Sequence, residues 1–293
     1  MTDRWSLGSP FLPPFAYSGS SFTDLLRHVL PDAVPAGPAG QVIPDHVHGT
    51  TIVAATFEGG VAIAGDRRAT AGNLISKRDM RKIFQTDRLS AVGISGAAGP
   101  SIELAKVFAT ELEHYEKVEG SELSLEGKAN KLAAMVRGNL PMAMQGLVVV
   151  PLFAGFDVLA GEGRIFDFDV AGGRYEERRY SATGSGSLHA RASLKARWHS
   201  SMGVDEVIDL CVAALWDAAD EDSATGGPDT VRGLYPIVAQ IDADGYAERE
   251  ETDVAERAGQ VAGERAERLS GVGDPARGGT RPDGASGSVA TDS

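Results

Sequence analysis

Residues 49–70, "GTTIVAATFEGGVAIAGDRRAT", give the clearest indication of the fold. It contains two apolar, strand-like runs on either side of Glu58-Gly59-Gly60. A short glycine turn between two such runs predicts an antiparallel hairpin. The first strand begins with small polar residues, Gly49-Thr50-Thr51, behind a segment of different composition. This junction therefore raises the question of what a threonine does at the start of a core strand.

The pattern outside the hairpin predicts the fold class. Strands and helices come in blocks rather than in strict βαβα alternation, which favours antiparallel sheets covered by helices. We therefore predict an α+β fold, a four-layer αββα sandwich of two antiparallel sheets flanked by helices. The expected strands are 82–87, 89–95, 147–150, 153–159, 164–169 and 234–241, and the expected helices are 101–117, 125–145 with a break at Pro141, 188–199 and 204–219.

Composition divides the chain into three parts. Residues 1–49 are rich in Pro, Gly and Ser and contain one helical candidate, 21–30, with capping-box spacing and a terminating proline. Residues 50–249 carry the apolar periodicity of a single large domain. Residues 250–293 are charged and poor in apolar side chains, so we expect an acidic, flexible tail with at most a frayed helix.

The bulk composition excludes several classes of protein. The net charge of −13 over 293 residues argues against nucleic acid and anionic membrane as partners. The sequence contains no uninterrupted run of about 18 apolar residues, so we predict no membrane span. The N-terminus also lacks the pattern of a secretory signal. Cys211 is the single cysteine, so no intrachain disulfide can form. These features together predict a cytoplasmic protein.

Thr50 has an unusual chemical option. If the peptide bond after Gly49 is cut, Thr50 gains a free α-amine beside its own hydroxyl. An α-amine has a pKa of about 7.7–8.0 and can act as a base near neutral pH. A leader before such a residue would keep the amine blocked until folding or assembly is complete. The plain alternative is that Gly49-Thr50 is only a loop-to-strand junction.

Three further features support the chemical interpretation. Asp66 ends the second strand of the hairpin, and Lys82 lies sixteen residues further on. An Asp–Lys pair beside a hydroxyl can lower the pKa of the hydroxyl and orient it. Asp66 and Lys82 could each equally be a solvated surface charge. The small residues 95–99 lie between a strand and a helix, where backbone N–H groups can form an oxyanion site or simply a tight turn.

The sequence gives no reason to expect a metal or cofactor. The acidic run 220–227 lacks calcium-loop spacing, and the six histidines lack zinc-ligand spacing. Residues 184–187, Gly-Ser-Gly-Ser, do not match a phosphate-binding loop. Cys211 lies on the apolar stripe of a predicted helix, which favours packing over nucleophilic chemistry.

An ordered set of short motifs resembles one family. GTTIVA, GDRRAT, ISKRDMRKI, GISGAAG, ELEHYEK, MVRGNL, GSGS and DAADEDSATGGPD occur in order between residues 49 and 245. Together they resemble the β subunits of actinobacterial 20S proteasomes, which are N-terminal nucleophile hydrolases. The resemblance implies a threonine endopeptidase whose leader, residues 1–49, is removed by autocleavage.

The resemblance also implies roles for individual residues. Thr50 would be the nucleophile, exposed by cleavage after Gly49. Thr225 stands where the family usually has serine, so a hydroxyl remains with an added methyl group. The other implied catalytic residues are Asp66 and Lys82 as charged partners, the amide of Gly96 as oxyanion donor, and Ser185 and Asp222 around the Thr50 amine.

Five positions match substrate-binding residues of the family. The backbone at Thr70 and Ala98 would hold a substrate as an added strand. Ser76, Met80 and Ile94 would line the pocket for the residue before the cut, and the last two would favour apolar side chains.

The partners implied by the resemblance are those of a proteasome core. They are α subunits, other β subunits in seven-membered rings stacked α-β-β-α, a ring-shaped activating ATPase, and unfolded or Pup-tagged protein substrates. Two alternatives stay open: a catalytically silent β subunit that only builds the ring, and an HslV-type ATP-dependent peptidase with six-fold rings.

Overall fold

The hairpin at residues 51–65 lies in the middle of a five-stranded sheet. The computed structural model describes residues 49–271. The described strands are β1 Thr51–Phe57, β2 Gly60–Gly65, β3 Ala69–Ala71, β4 Leu74–Lys77, β5 Ile83–Asp87, β6 Ser90–Gly96, β7 Val149–Asp157, β8 Glu162–Phe168, β9 Arg174–Glu177, β10 Tyr180–Gly184, β11 Ile237–Asp242 and β12 Gly245–Glu248. The described helices are α1 Ala98–Glu119, α2 Leu125–Gly138, α3 Leu140–Ala143, α4 Ser187–Arg197, α5 Val204–Glu221 and α6 Glu251–Gly271.

The turn of the hairpin needs its glycine. β1 and β2 pair antiparallel up to Phe57 and Gly60, leaving a two-residue connection. Gly59 adopts a φ of 89°, a conformation that residues with a Cβ rarely reach. The prediction of a hairpin at this position is therefore confirmed.

Two antiparallel sheets form the centre of the fold. The first has the strand order β10-β1-β2-β11-β12 and the second the order β5-β6-β7-β8-β9, and β3 and β4 form a separate small hairpin. One apolar cluster joins the facing sides of the two sheets. Two further clusters join the first sheet to α4, α5 and α6, and the second sheet to α1 and α2. The predicted αββα sandwich is confirmed.

β1 shows why the sequence specifies this layering. Ile52 and Ala54 belong to the cluster between the sheets. Val53 and Ala55 belong to the cluster beneath α4 and α5. Successive side chains of a strand point to opposite faces, so a strand covered on both sides needs the continuous apolar run that residues 52–55 provide.

Two prolines affect the elements differently. The predicted break at Pro141 is confirmed, because α2 ends at Gly138 and the short α3 begins at Leu140. Pro151, by contrast, lies inside the continuous strand β7, where two separate strands were expected. It pairs with β6, and the pairing of β7 with β8 begins only at Leu152. The missing N–H of Pro151 therefore falls where β8 does not require it.

The segment after Glu250 differs from the expected flexible tail. Residues 251–271 form α6, and its buried Val254, Ala258 and Val261 complete the cluster on α5. Arg257 contacts both Asp209 and Asp253. Small apolar residues and ion pairs between two helices thus dock a segment whose own sequence is only weakly hydrophobic.

Some expectations concern other parts of the chain. The predicted helix 21–30, the leader up to residue 48 and the tail beyond residue 271 lie outside the described residues. The short strands β3, β4, β9, β10 and β12 were not anticipated, because runs of three to five residues give little periodicity. Of the helices described here, none is long and apolar enough to cross a membrane.

Candidate active site

Gly49 and Thr50 lie buried at the entrance to β1. The Thr50 hydroxyl donates a hydrogen bond to the Gly49 carbonyl oxygen at 2.8 Å. The Gly49 N–H donates to the Thr70 hydroxyl at 3.1 Å. A Cβ added to Gly49 would come within 1.9 Å of the Cβ of Ala224 and 2.6 Å of its carbonyl oxygen. The bond between residues 49 and 50 is therefore held beside the hydroxyl, at a place that only glycine fits.

Asp66 collects hydrogen bonds from four donors. It follows β2 and is fully buried. One carboxylate oxygen accepts from the Thr51 N–H at 2.8 Å and from the Lys82 ammonium at 2.7 Å. The other accepts from the N–H groups of Arg68 and Gly226, both at 2.9 Å. This network fixes the carboxylate without freedom to rotate.

Lys82 directs its amine towards the same bond. It immediately precedes β5, and only 2% of the residue is exposed. Besides Asp66, its Nζ contacts the Arg68 carbonyl oxygen and, at 3.3 Å, the Gly49 carbonyl oxygen. Burial lowers the pKa of Lys82 below its ordinary value, and the Asp66 carboxylate opposes this shift only in part. A lowered pKa makes the neutral amine easier to form, and a neutral amine can accept a proton from a nearby hydroxyl.

A second polar cluster lies on the other side of Thr50. The Thr50 N–H donates to the Ser185 hydroxyl at 3.3 Å, and that hydroxyl donates to the Asp222 carboxylate at 2.5 Å. The Thr225 hydroxyl also donates to Asp222, at 2.6 Å. Burial raises the pKa of Asp222, but the hydrogen bonds from Ser185 and Thr225 outweigh it and hold the pKa below its usual range. Asp222 therefore stays a carboxylate that orients both hydroxyls.

The cluster is closed by close packing around Gly186. The Thr225 hydroxyl lies 2.6 Å from the hydroxyl of Thr51. A Cβ on Gly186 would come within 2.4 Å of the Thr51 oxygen and 2.7 Å of the Thr225 oxygen. The methyl group of Thr225 is accommodated, since this residue is fully buried and its hydroxyl keeps the contact with Asp222.

Gly96 ends β6 near this cluster. It has a φ of 110°, and a Cβ there would come within 2.1 Å of the Val148 carbonyl oxygen. The preceding residue, Ser95, bonds Thr183 at 3.2 Å, next to the strand residue that pairs with Thr51. Ala98 begins α1 directly after this turn. The strand-to-helix turn expected here is present, with a glycine conformation at its centre.

The predicted substrate-binding residues are distributed differently. Thr70 lies in β3 and already contacts Gly49. Ser76 lies on the exposed strand β4, and Met80 is half-buried between β4 and β5. Ile94 is only 3% exposed and belongs to the cluster beneath α1 and α2. The structure thus brings Thr70 to the site, whereas the pocket roles of the other three stay predictions.

Several residues of the site escaped the sequence analysis. They contribute backbone groups or close packing rather than reactive side chains, so no role could be assigned to them from the motifs in which they lie. These residues are Thr51, Arg68, Ala224, Gly186 and Gly226.

The fold and the site together define a class. Two facing antiparallel sheets, helices on both outer sides and a threonine at the head of β1 form the sandwich of the N-terminal nucleophile hydrolases. The model of the family described as "Proteasome subunit" matches residues 46–232. The chain therefore belongs to the proteasome subunit family.

Similar relatives are described as proteasome β subunits. The chain is 53% identical to the proteasome subunit beta of Parafrankia sp. (strain EAN1pec) over 86% of its own length and 93% of the relative's. It is 54% identical to that of Acidimicrobium ferrooxidans, over 83% and 89% of the two lengths. It is 56% identical to that of Frankia casuarinae, over 78% and 84%. Membership of this family means assembly into a proteasome core with other subunits, and it is consistent with a peptidase.

Proposed function

We propose that this chain is the catalytic β subunit of a 20S proteasome core, a threonine endopeptidase. The observation that carries the proposal is the convergence on the Gly49 carbonyl oxygen, which the Thr50 hydroxyl approaches at 2.8 Å and Lys82 Nζ at 3.3 Å. Lys82 is in turn held by Asp66. A nucleophile, a proton-exchanging amine and an orienting carboxylate form the set that such an acyl transfer requires.

The first reaction is cleavage of the chain itself. The Thr50 hydroxyl oxygen adds to the Gly49 carbonyl carbon, and its proton passes towards the Lys82 amine. The C–N bond then breaks, the nitrogen of Thr50 takes up a proton, and an ester joins residue 49 to the hydroxyl. Water hydrolyses this ester and leaves Thr50 with a free α-amine, which removes the leader 1–49.

The same groups then act on substrates. The α-amine of Thr50, with a pKa of about 7.7–8.0, accepts the hydroxyl proton. The hydroxyl attacks a peptide carbonyl, and the Gly96 amide stabilises the oxyanion, a contact whose loss typically costs about 10²–10³-fold in rate. Ser185, Asp222 and Thr225 orient the amine, and water finally hydrolyses the acyl ester.

The wider assignment follows the resemblance. We propose a cytoplasmic particle of seven-membered rings stacked α-β-β-α, fed by a ring-shaped ATPase with unfolded or Pup-tagged proteins. A substrate would lie as an added strand along Thr70 and Ala98, with Ser76, Met80 and Ile94 forming the pocket before the cut. In support of this placement, the Gly49 N–H bonds the Thr70 hydroxyl at 3.1 Å, so the chain just before the reacting bond already lies beside β3.

The test replaces the nucleophile within the assembled particle, co-expressed with the α subunits. Thr50→Ala should leave the chain uncut and abolish peptide hydrolysis. Thr56→Ala is the matched control, because Thr56 lies in the same strand and, within residues 49–271, its hydroxyl bonds only the carbonyl oxygens of residues 178 and 179. Hydrolysis by Thr50→Ala at the rate of Thr56→Ala would reject the proposal. An assembled wild-type chain whose measured mass still includes residues 1–49 would also reject it.

A further inference from the structure

The two residues next to the Asp66–Lys82 pair are both arginines. Arg67 follows Asp66 and Arg81 precedes Lys82. Neighbouring residues of an extended chain point to opposite sides. While Asp66 and Lys82 point into the site, both arginines bind carboxylates at the junction of β12 and α6.

Arg81 makes the more complete of these contacts. Its two terminal nitrogens bind both oxygens of Glu248 at 2.7–2.8 Å. The Tyr246 hydroxyl donates to the same carboxylate at 3.2 Å and so helps to orient it. A bidentate arginine–carboxylate pair fixes direction as well as distance. The backbone at Arg81, one residue before Lys82, is therefore fastened to the end of β12.

Arg67 makes a parallel connection. Its guanidinium bonds Asp79 at 2.8 Å and Glu251 at 3.0 Å. Its carbonyl oxygen also accepts from the N–H of Met80 at 2.9 Å. The chain between the two arginines, residues 67–81, is thus tied at both ends to the segment 248–251.

The sheet order explains why the C-terminal segment reaches the site. β11 pairs with β2 so that Ile237 lies opposite Gly65, the residue before Asp66. β12 pairs with β11 so that Glu248 lies opposite Ala239. Because Ala239 lies opposite Ile63, Glu248 lies two strands away from β2 and level with Ile63, three residues before Asp66.

We propose that Glu248 is a positioning residue, which acts through Arg81 to hold Lys82 at the reacting bond. The inference rests on the proposed function, since it assigns a role within that reaction. Lys82 carries its amine on a flexible four-carbon stem, and its Nζ must reach both Asp66 and the carbonyl oxygen after which the chain is cut. Small displacements of a reacting group reduce the rate of a step more than they reduce binding.

The test compares Glu248→Gln with a matched variant in the assembled particle. Glu126→Gln removes a carboxylate that also pairs with an arginine, Arg174, at 3.0 Å, but on α2 and away from Lys82. Active sites are counted with a covalent threonine-directed inhibitor, and kcat and KM are measured per labelled site. We expect Glu248→Gln to lower kcat about three- to fivefold, as a partly exposed pair allows, with KM nearly unchanged.

The exchanged pair Arg81→Glu with Glu248→Arg provides the rescue. It should recover most of the lost kcat, whereas Glu126→Gln should match wild type. Equal kcat in Glu248→Gln and Glu126→Gln, a change in KM alone, or no recovery in the exchanged pair would overturn the inference. Thr50→Ala in the same series separates failure of the proposed function from failure of the inference about Glu248. If it hydrolyses peptide, the proposed function falls and the inference with it; if it is inactive, a normal Glu248→Gln overturns the inference alone.

Discussion

Replacement of Asp66 by Asn is the sharpest perturbation of the site. Asn keeps the shape of the side chain but removes its charge and offers one oxygen and one NH₂ group. Two donors face each carboxylate oxygen, so one pair of donors must meet an NH₂ group whichever way the amide lies. Lys82, only 2% exposed, loses its opposite charge at the same time.

The size of the effect follows from this burial. Removing one partner of a buried ion pair costs about 3–5 kcal/mol, so the free energy of unfolding should fall by that amount. The pKa of Lys82 should fall further, because burial already lowers it and Asp66 is the main group that opposes the shift. If about 3 kcal/mol is also lost at the transition state, hydrolysis slows by about 10²-fold.

The assay measures peptide hydrolysis per assembled particle together with thermal unfolding. Asp87→Asn is the matched control, because Asp87 pairs with another buried lysine, Lys128, at 2.8 Å. It lies at the opposite end of β5 from Lys82, roughly 16 Å away at the usual rise of a strand. This control should lose stability but keep its rate of hydrolysis. An Asp66→Asn variant that hydrolyses peptide within about threefold of the Asp87→Asn rate would contradict the role assigned to Asp66.

Three further outcomes follow from the same contacts. Thr225→Ser should keep hydrolysis near wild type, because the bonds to Asp222 and Thr51 need only the hydroxyl. Thr225→Val should lose about tenfold, because the buried Thr51 hydroxyl loses its contact with Thr225 and Asp222 keeps only one of its two hydroxyl donors, Ser185; comparison of the two kcat values checks this. Cys211 should resist alkylation until the chain is denatured, since burial raises its pKa to about 12, and mass spectrometry would show early labelling if this were wrong. Because the pKa of Lys82 is lowered on folding, the unfolded chain binds more protons between that lowered value and about 10.4. The melting temperature should therefore rise with pH across this window, and Lys82→Met, with no such proton to bind, should flatten the rise.

The layers of the fold were predictable because hydrophobic pattern dictates them. The double-sided burial of residues 52–55 and the stop at Pro141 are local properties of the sequence. α6 was not predictable in this way. Its buried face consists of small side chains, and arginines such as Arg257 form ion pairs with aspartates on α5 that hold it in place.

The site was predictable only in part, for a similar reason. Thr50 could be identified by itself, because cleavage after Gly49 would give it both a hydroxyl and a free α-amine. Asp66 and Lys82 are charged residues within 32 positions of it. The N–H of Gly226, by contrast, reaches Asp66 across 160 residues of sequence. Ser185 and Asp222 were found through the resemblance to a family, because no spacing rule connects them to Thr50.

The crowding around Gly49 has a practical consequence for engineering. An added Cβ there would overlap the backbone of Ala224, which a change of rotamer cannot relieve. Any foreign sequence grafted ahead of Thr50 therefore needs glycine as its last residue. The requirement is set by Ala224, which belongs to the folded domain, so it holds whatever sequence precedes residue 49.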